Sequence, residues 1–342
     1  MTQSMDWRSL ENSLKTEARF FSRTAANRLA SIFDGVGELQ THDGRPLVVD
    51  AGPGTDFHIL YHAQLFQSDD KLEAALSRPD LHLGSPPPPF AAPGRMNARG
   101  ISVFYGSNNQ NAAIAELSPT VGSQIAVAQF EIIRKLRLLD LTALSDVRVT
   151  GSLSDLGLAG RMETAVFLRL LSERIVRPAM PDDDPFECLA TQAIADYLAT
   201  EASVPIDGII FSSAQAGGDN RYAVLFHKAA RVEPLNVQEG TEISASTGYW
   251  AEDGWVDDYE VVEKIAPLHG EVHKREQEQE SPDLAAIAEA MPLDPQDVDW
   301  REASLRIVPE SMEVHRVRRA QFATDAFTVK RHRQEKRDGL AR

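Results

Sequence analysis

Gly94-Arg95-Met96-Asn97-Ala98-Arg99-Gly100 is the stretch from which the rest of the chain can be read. Tyr105 follows Arg95 by ten residues and Glu116 follows Tyr105 by eleven, so one short segment carries a cation, an aromatic face and a carboxylate. Gly100 and the run Ile101-Ser102-Val103-Phe104-Tyr105 predict a turn feeding a short buried strand, and residues 109–117 predict a short alanine-rich helix with Glu116 near its end. A turn, a strand and a helix in that order can aim three different chemistries into one cleft.

Upstream, Pro86-Pro87-Pro88-Pro89 favours a polyproline II run that stiffens the approach to the Gly94 turn. Residues 57–65 alternate Phe57, Ile59, Tyr61, Ala63 and Leu65, the period of a strand, and residues 47–50 predict a shorter one. Leu10, Leu14, Phe21, Ala25, Leu29 and Ile32 recur at helical spacing and Gly35 follows as a stop, which predicts one amphipathic amino-terminal helix packed on the main domain.

Downstream, residues 125–132 and 136–141 predict a pair of strands, and residues 161–177 a helix ending before Pro178. Asp184-Pro185 supplies an N-cap and a first-turn proline for a helix over 186–202, and strands are expected over 206–211 and 222–227. Strands and helices mix without regular βαβ alternation, so the fold class is α+β. Beyond Glu239 the chain turns polar and acidic, with Trp250, Trp255 and Tyr259. A short helix is expected over 282–291, returning edge strands over 305–308 and 314–317, and a frayed basic tail over 330–342. The expected organisation is a helical segment over 1–50, a central domain over 51–240, an acidic insertion or subdomain over 241–300, and returning strands with the tail over 301–342.

The 342 residues are 42% hydrophobic and 25% charged, ordinary for a soluble globular chain able to bury a full core. A formal charge of −16 argues against non-specific attraction to nucleic acid or an anionic membrane. Cys188 is the single cysteine, which excludes an internal disulfide and a multi-cysteine zinc site, and no secretory signal or membrane span is visible. A cytoplasmic location is the expectation. His58 and His62 are four apart but in a strand-like segment, so no metal site is expected, and Ala216-Gly217-Gly218-Asp219 lacks the residues of an NTP loop or a dinucleotide fingerprint.

Taken together, Pro86-Pro87-Pro88-Pro89, Gly94-Arg95-Met96-Asn97, the strand ending at Tyr105, Ala112-Ala113-Ile114-Ala115-Glu116, Leu138-Leu139-Asp140-Leu141-Thr142, Gly208-Ile209-Ile210-Phe211-Ser212-Ser213 and Gly217-Gly218-Asp219-Asn220 resemble the RES-domain family. The resemblance covers residues 57–228 well and is named for an arginine, a glutamate and a serine. It implies an α+β fold with a mixed-sheet core related to ADP-ribosyltransferases. It also implies an enzyme that binds NAD and breaks its nicotinamide–ribose bond, many relatives being toxins of bacterial toxin–antitoxin pairs. NAD would then be the substrate, with no prosthetic group, inorganic phosphate as a candidate co-substrate, and an antitoxin or immunity protein as a candidate partner; self-association stays open. Because NAD is an anion and the chain is acidic, its site must be a local basic pocket.

Under that resemblance Glu116 stabilises positive charge on the ribose, Arg95 grips two pyrophosphate oxygens in a planar fork, and Tyr105 offers a ring to nicotinamide or ribose. Ser213, or Ser212 if the register shifts by one, orients Glu116 or a ligand oxygen, and Asn97 and Asn220 are secondary hydrogen-bonders. No nucleophile elbow surrounds the serines, so a hydrolase-type nucleophile is not expected. The chain departs from the family pattern at Leu60-Tyr61-His62-Ala63-Gln64, where His62 stands at the place of an expected arginine. Transfer of ADP-ribose to a protein and a catalytically silent binding module are the alternative functions.

Overall fold

A computed structural model describes residues 3–16, 22–149, 157–176, 188–212, 220–266, 299–319 and 326–331. Two helices open the chain, α1 (Gln3–Thr16) and α2 (Arg23–Phe33). They replace the single amino-terminal helix expected from the periodicity. Ser22 is the reason at the start of α2: it is extended and its hydroxyl accepts from the Ala25 amide (3.1 Å), so it caps a new helix rather than continuing an old one.

There follow β1 (Val48–Ala51), β2 (Ile59–Phe66), α3 (Asp69–Ser77), α4 (Pro79–His82), β3 (Phe104–Ser107), α5 (Gln110–Glu116), β4 (Gln124–Ile132), β5 (Leu136–Asp140), α6 (Leu158–Val176), α7 (Leu189–Thr200), β6 (Gly208–Ser212), β7 (Arg221–Leu225), β8 (Glu242–Ala251), β9 (Gly254–Lys264) and β10 (Leu305–Arg316). The proline run ends in a single 3-10 turn at Pro88–Phe90. Eight strands form one sheet in the order β1-β5-β6-β7-β3-β2-β4-β10, antiparallel except for β5 beside β6. The molecule is thus α+β with a large mixed sheet.

Strands β4 and β5 are not paired with each other, contrary to the expectation for residues 125–132 and 136–141. β4 pairs with β2 and β10, and β5 with β1 and β6. In a flat sheet five strand steps would separate them by roughly 24 Å, yet the link over 133–135 spans at most about 14 Å. The sheet must therefore fold over, bringing β4 and β5 to face each other. At that closure Gly52 has φ +114°, and a Cβ there would sit 2.5 Å from the Arg134 carbonyl oxygen, so only glycine fits.

Two hydrophobic clusters fill the two sides. Between the facing halves lie Leu60, Phe104, Phe130, Leu138, Ile210 and Leu225; over the outer face α1, α2, α6 and α7 pack Leu10, Leu29, Leu168 and Ile194 onto Ile209, Phe211, Tyr222 and Val224. The alternation along β6 and β7 assigns successive residues to opposite clusters, as a doubly buried strand requires. A small third cluster, Ala63, Ala113, Ile125 and Val127, sits under α5. The seam between β2 and β3 is thin, with one bridging pair, Tyr61 opposite Ser107.

The acidic region after Glu239 begins as an antiparallel hairpin of β8 and β9, separate from the large sheet. The two returning strands expected near the end are one edge strand, β10, with an irregularity between Val308 and Glu313. The Asp184-Pro185 cap, the helix expected over 282–291 and most of the basic tail lie outside the described residues. No described helix is long and apolar enough to cross a membrane.

Candidate active site

A cleft of about 490 Å³ opens on the outer face of the sheet, between α5 and the end of α6. Its volume lies in the range of about 300–1,000 Å³ usual for small-molecule sites. Arg95, Tyr105, Glu116 and Ser212 all line it, so four residues spread over more than a hundred positions of sequence meet in one cavity.

The Arg95 side is a turn held from three directions. Gly94 donates to the Asn97 carbonyl (2.9 Å) and closes the turn. From α7, Gln192 Nε2 donates to the carbonyls of Gly94 (2.8 Å) and Asn97 (3.0 Å), and the Thr191 hydroxyl donates to the Arg95 carbonyl. Arg95 itself is partly buried and donates through Nη1 to the Arg174 carbonyl on α6 (3.3 Å). A side chain at Gly94 would crowd the turn, because a Cβ would lie 2.5 Å from Asn97 Oδ1 and 3.0 Å from Tyr105 Oη.

Asn97 is buried, at 4% exposure, and is not among the residues lining the cleft. Its Nδ2 donates to the carbonyls of Ala92 (2.9 Å) and Ile101 (3.1 Å), and its Oδ1 accepts from Tyr105 Oη (3.2 Å). The geometry corrects its expected place: Asn97 ties the turn from behind instead of facing a ligand. Tyr105 Oη also accepts from the Met96 amide (3.3 Å). Its ring is thereby fixed against the outer cluster at the cleft, and burial, with Glu116 nearby adding to it, pushes the phenol up to about 12. Tyr105 stays protonated at any physiological pH.

Glu116 ends α5 and is exposed to the cleft. Helix α5 is started by Asn109, whose side chain accepts from the Ala112 amide (3.0 Å), and it is bolted to the sheet by Tyr222 Oη donating to the Ala112 carbonyl. Sequence reading passed over Tyr222, Thr191 and Gln192. All three act on partners about a hundred residues away, and no local pattern encodes such a contact.

Ser212, the last residue of β6, is exposed and lines the cleft, whereas Ser213 lies outside the described residues. Asn220 precedes β7 and does not line the cavity. His62, at the place of the expected arginine, contributes no cation. Its ring packs at 5.2 Å from Phe104 and 6.3 Å from Phe130, and Nδ1 lies 2.6 Å from the Tyr105 carbonyl oxygen. A carbonyl only accepts, so Nδ1 carries the hydrogen; burial lowers the pKa and keeps the imidazole neutral. His62 thus laces the thin β2–β3 seam at the Tyr105 main chain and is itself part of the cleft wall. Among the described residues lining the cleft, Arg95 is the permanent cation.

The family model for the RES domain matches residues 60–245, more than half of the chain. The chain belongs to the RES-domain family. The match runs from Leu60 in β2 to Ala245 in β8 and so takes in every residue that lines the cleft. No curated protein and no solved structure matches the chain.

Proposed function

We propose that this RES-domain protein cleaves the nicotinamide–ribose bond of NAD and passes ADP-ribose to water or inorganic phosphate. The observation that carries the reading is the convergence of the Arg95 guanidinium, the Tyr105 ring and the Glu116 carboxylate on one cavity of nucleotide size. Nicotinamide leaves as a neutral base because its ring nitrogen already bears the positive charge, and the bond's electron pair departs with it. No general acid is needed, so one carboxylate suffices where most glycosidases use two. Glu116 opposes the positive charge that grows on the ribose carbon, an interaction strongest in the transition state. Arg95, braced by α6 and α7, supplies the fork for the pyrophosphate, and the ring of Tyr105 supplies an apolar surface for nicotinamide or ribose.

Consumption of NAD would arrest growth, which accords with a toxin restrained by a cognate partner. Purified protein is to be incubated with NAD, with and without phosphate, and the products identified. Free nicotinamide together with ADP-ribose or its 1-phosphate is expected. Nicotinamide release accompanied by labelling of protein would point instead to ADP-ribosyl transfer, and absence of nicotinamide would overturn the reading.

A further inference from the structure

We propose that Tyr61, oriented by Gln129, contacts the ribose from which nicotinamide departs; this rests on the NAD reading above. Tyr61 lies on β2, is partly buried and lines the cleft. Its register partner on β4 is Gln129, whose Nε2 donates to Tyr61 Oη at 3.1 Å. A phenol has one hydrogen to give, and an amide N–H cannot accept it, so the Tyr61 hydrogen is left for the cavity. Gln129 is itself held in register, since its backbone N–H donates to Ser311 Oγ (2.8 Å) at the irregularity of β10.

The position of Tyr61 selects the part of the ligand it meets. Its ring packs on the cluster under α5, as Leu117 does, and Leu117 and Glu116 both line the cleft. Tyr61 therefore stands on the carboxylate side, whereas Arg95 is anchored to α6. A carboxylate only accepts hydrogen bonds and a guanidinium only donates. A ribose hydroxyl can do both: Glu116 takes its hydrogen, and its oxygen still needs a donor, which Tyr61 supplies. Nothing in the local sequence marks Tyr61, because the pairing with Gln129 exists only once β2 and β4 are side by side.

The test uses the full chain and reads NAD turnover alongside calorimetric binding of nicotinamide mononucleotide and AMP. Tyr61→Phe keeps the ring and is expected to raise KM for NAD about three- to tenfold, with a smaller change in kcat. Binding of nicotinamide mononucleotide should weaken in parallel while AMP binding is unchanged. Gln129→Glu turns the donor into an acceptor that captures the phenolic hydrogen, so it should raise KM like Tyr61→Phe, yet add nothing in the Tyr61→Phe background. Unchanged KM in Tyr61→Phe, equal weakening of both mononucleotides, or additive effects in the double variant would overturn the proposal. Failure of the wild-type protein to release nicotinamide would sink the NAD reading instead, while the mononucleotide binding would still judge Tyr61.

Discussion

The cleft wall and the β8–β9 hairpin both carry several aromatic rings, yet the fold treats them in opposite ways. In the cleft Tyr105 and Tyr222 each bind specific main-chain or side-chain partners, and their rings lie against the outer cluster. On the hairpin Trp250 and Trp255 form a cross-strand edge-to-face pair, ring centroids 5.8 Å apart, but stay 78% and 45% exposed. The hairpin meets the body through polar links, such as Glu73 to Thr247 (3.2 Å) and Asp257 to Arg316 (2.7 Å), and through Ala245 and Tyr259, which pack at the edge of the inner cluster away from the two tryptophans. Aromatic content alone therefore does not nominate a site; the cleft is the candidate because its rings are immobilised around unlike charges.

The sharpest break of this comparison is Glu116→Ala. It should lower nicotinamide release by at least about 100-fold, the scale of losing one preorganised electrostatic contact in a transition state, while circular dichroism and thermal midpoint stay at wild-type values because Glu116 is exposed at a helix end. Next comes Gly94→Ala. The new methyl group would overlap Asn97 and Tyr105, so a loss of about 1–3 kcal/mol is expected from overpacking, read by urea denaturation, together with weaker NAD binding.

Tyr105→Phe leaves the Met96 amide and Asn97 Oδ1 without their phenol. A cost of about 1–3 kcal/mol follows from an unsatisfied buried group, and the ring remains to pack, so stability should fall before turnover does. Stability against pH tests the seam. His62 is held neutral by burial, so its folded pKa lies below its unfolded value; the unfolded chain binds the extra proton first, and stability falls as pH drops below about 6.5 toward the folded value. Phe104, Phe130 and the Tyr105 carbonyl surround the ring, and His62→Phe should flatten that acid limb in a thermal-midpoint series.

The smallest effect is expected on the hairpin. Trp250→Ala should change global stability by less than about 0.5 kcal/mol, as for surface positions generally, and leave nicotinamide release untouched. A large loss of either would mean that the hairpin belongs to the same cooperative unit as the cleft.

Much of this was legible from local pattern. The turn at Gly94, the strand at Tyr105 and the helix ending in Glu116 lie within a short span, where periodicity, glycine and capping by Asn109 decide the conformation. Strand β2 followed from its alternating pattern, and β4, β6 and β7 from apolar runs of strand length. The break between α1 and α2 was missed because the apolar spacing continues across it, and only the side chain of Ser22 turns inward to cap.

The composition and motifs of the sequence by themselves determined the α+β class and the family, and they nominated the cation, ring and carboxylate that the cleft brings together. Only the tertiary structure decided that β4 and β5 face each other instead of pairing, that Asn97 ties the turn while Tyr61 looks into the cleft, and that His62 is a neutral lace across a seam. Those outcomes depend on contacts between residues far apart in the chain, such as Tyr61 with Gln129 and Gln192 with Gly94. Their hydrogen-bond geometry is set by how the sheet folds over its core, which no local periodicity records.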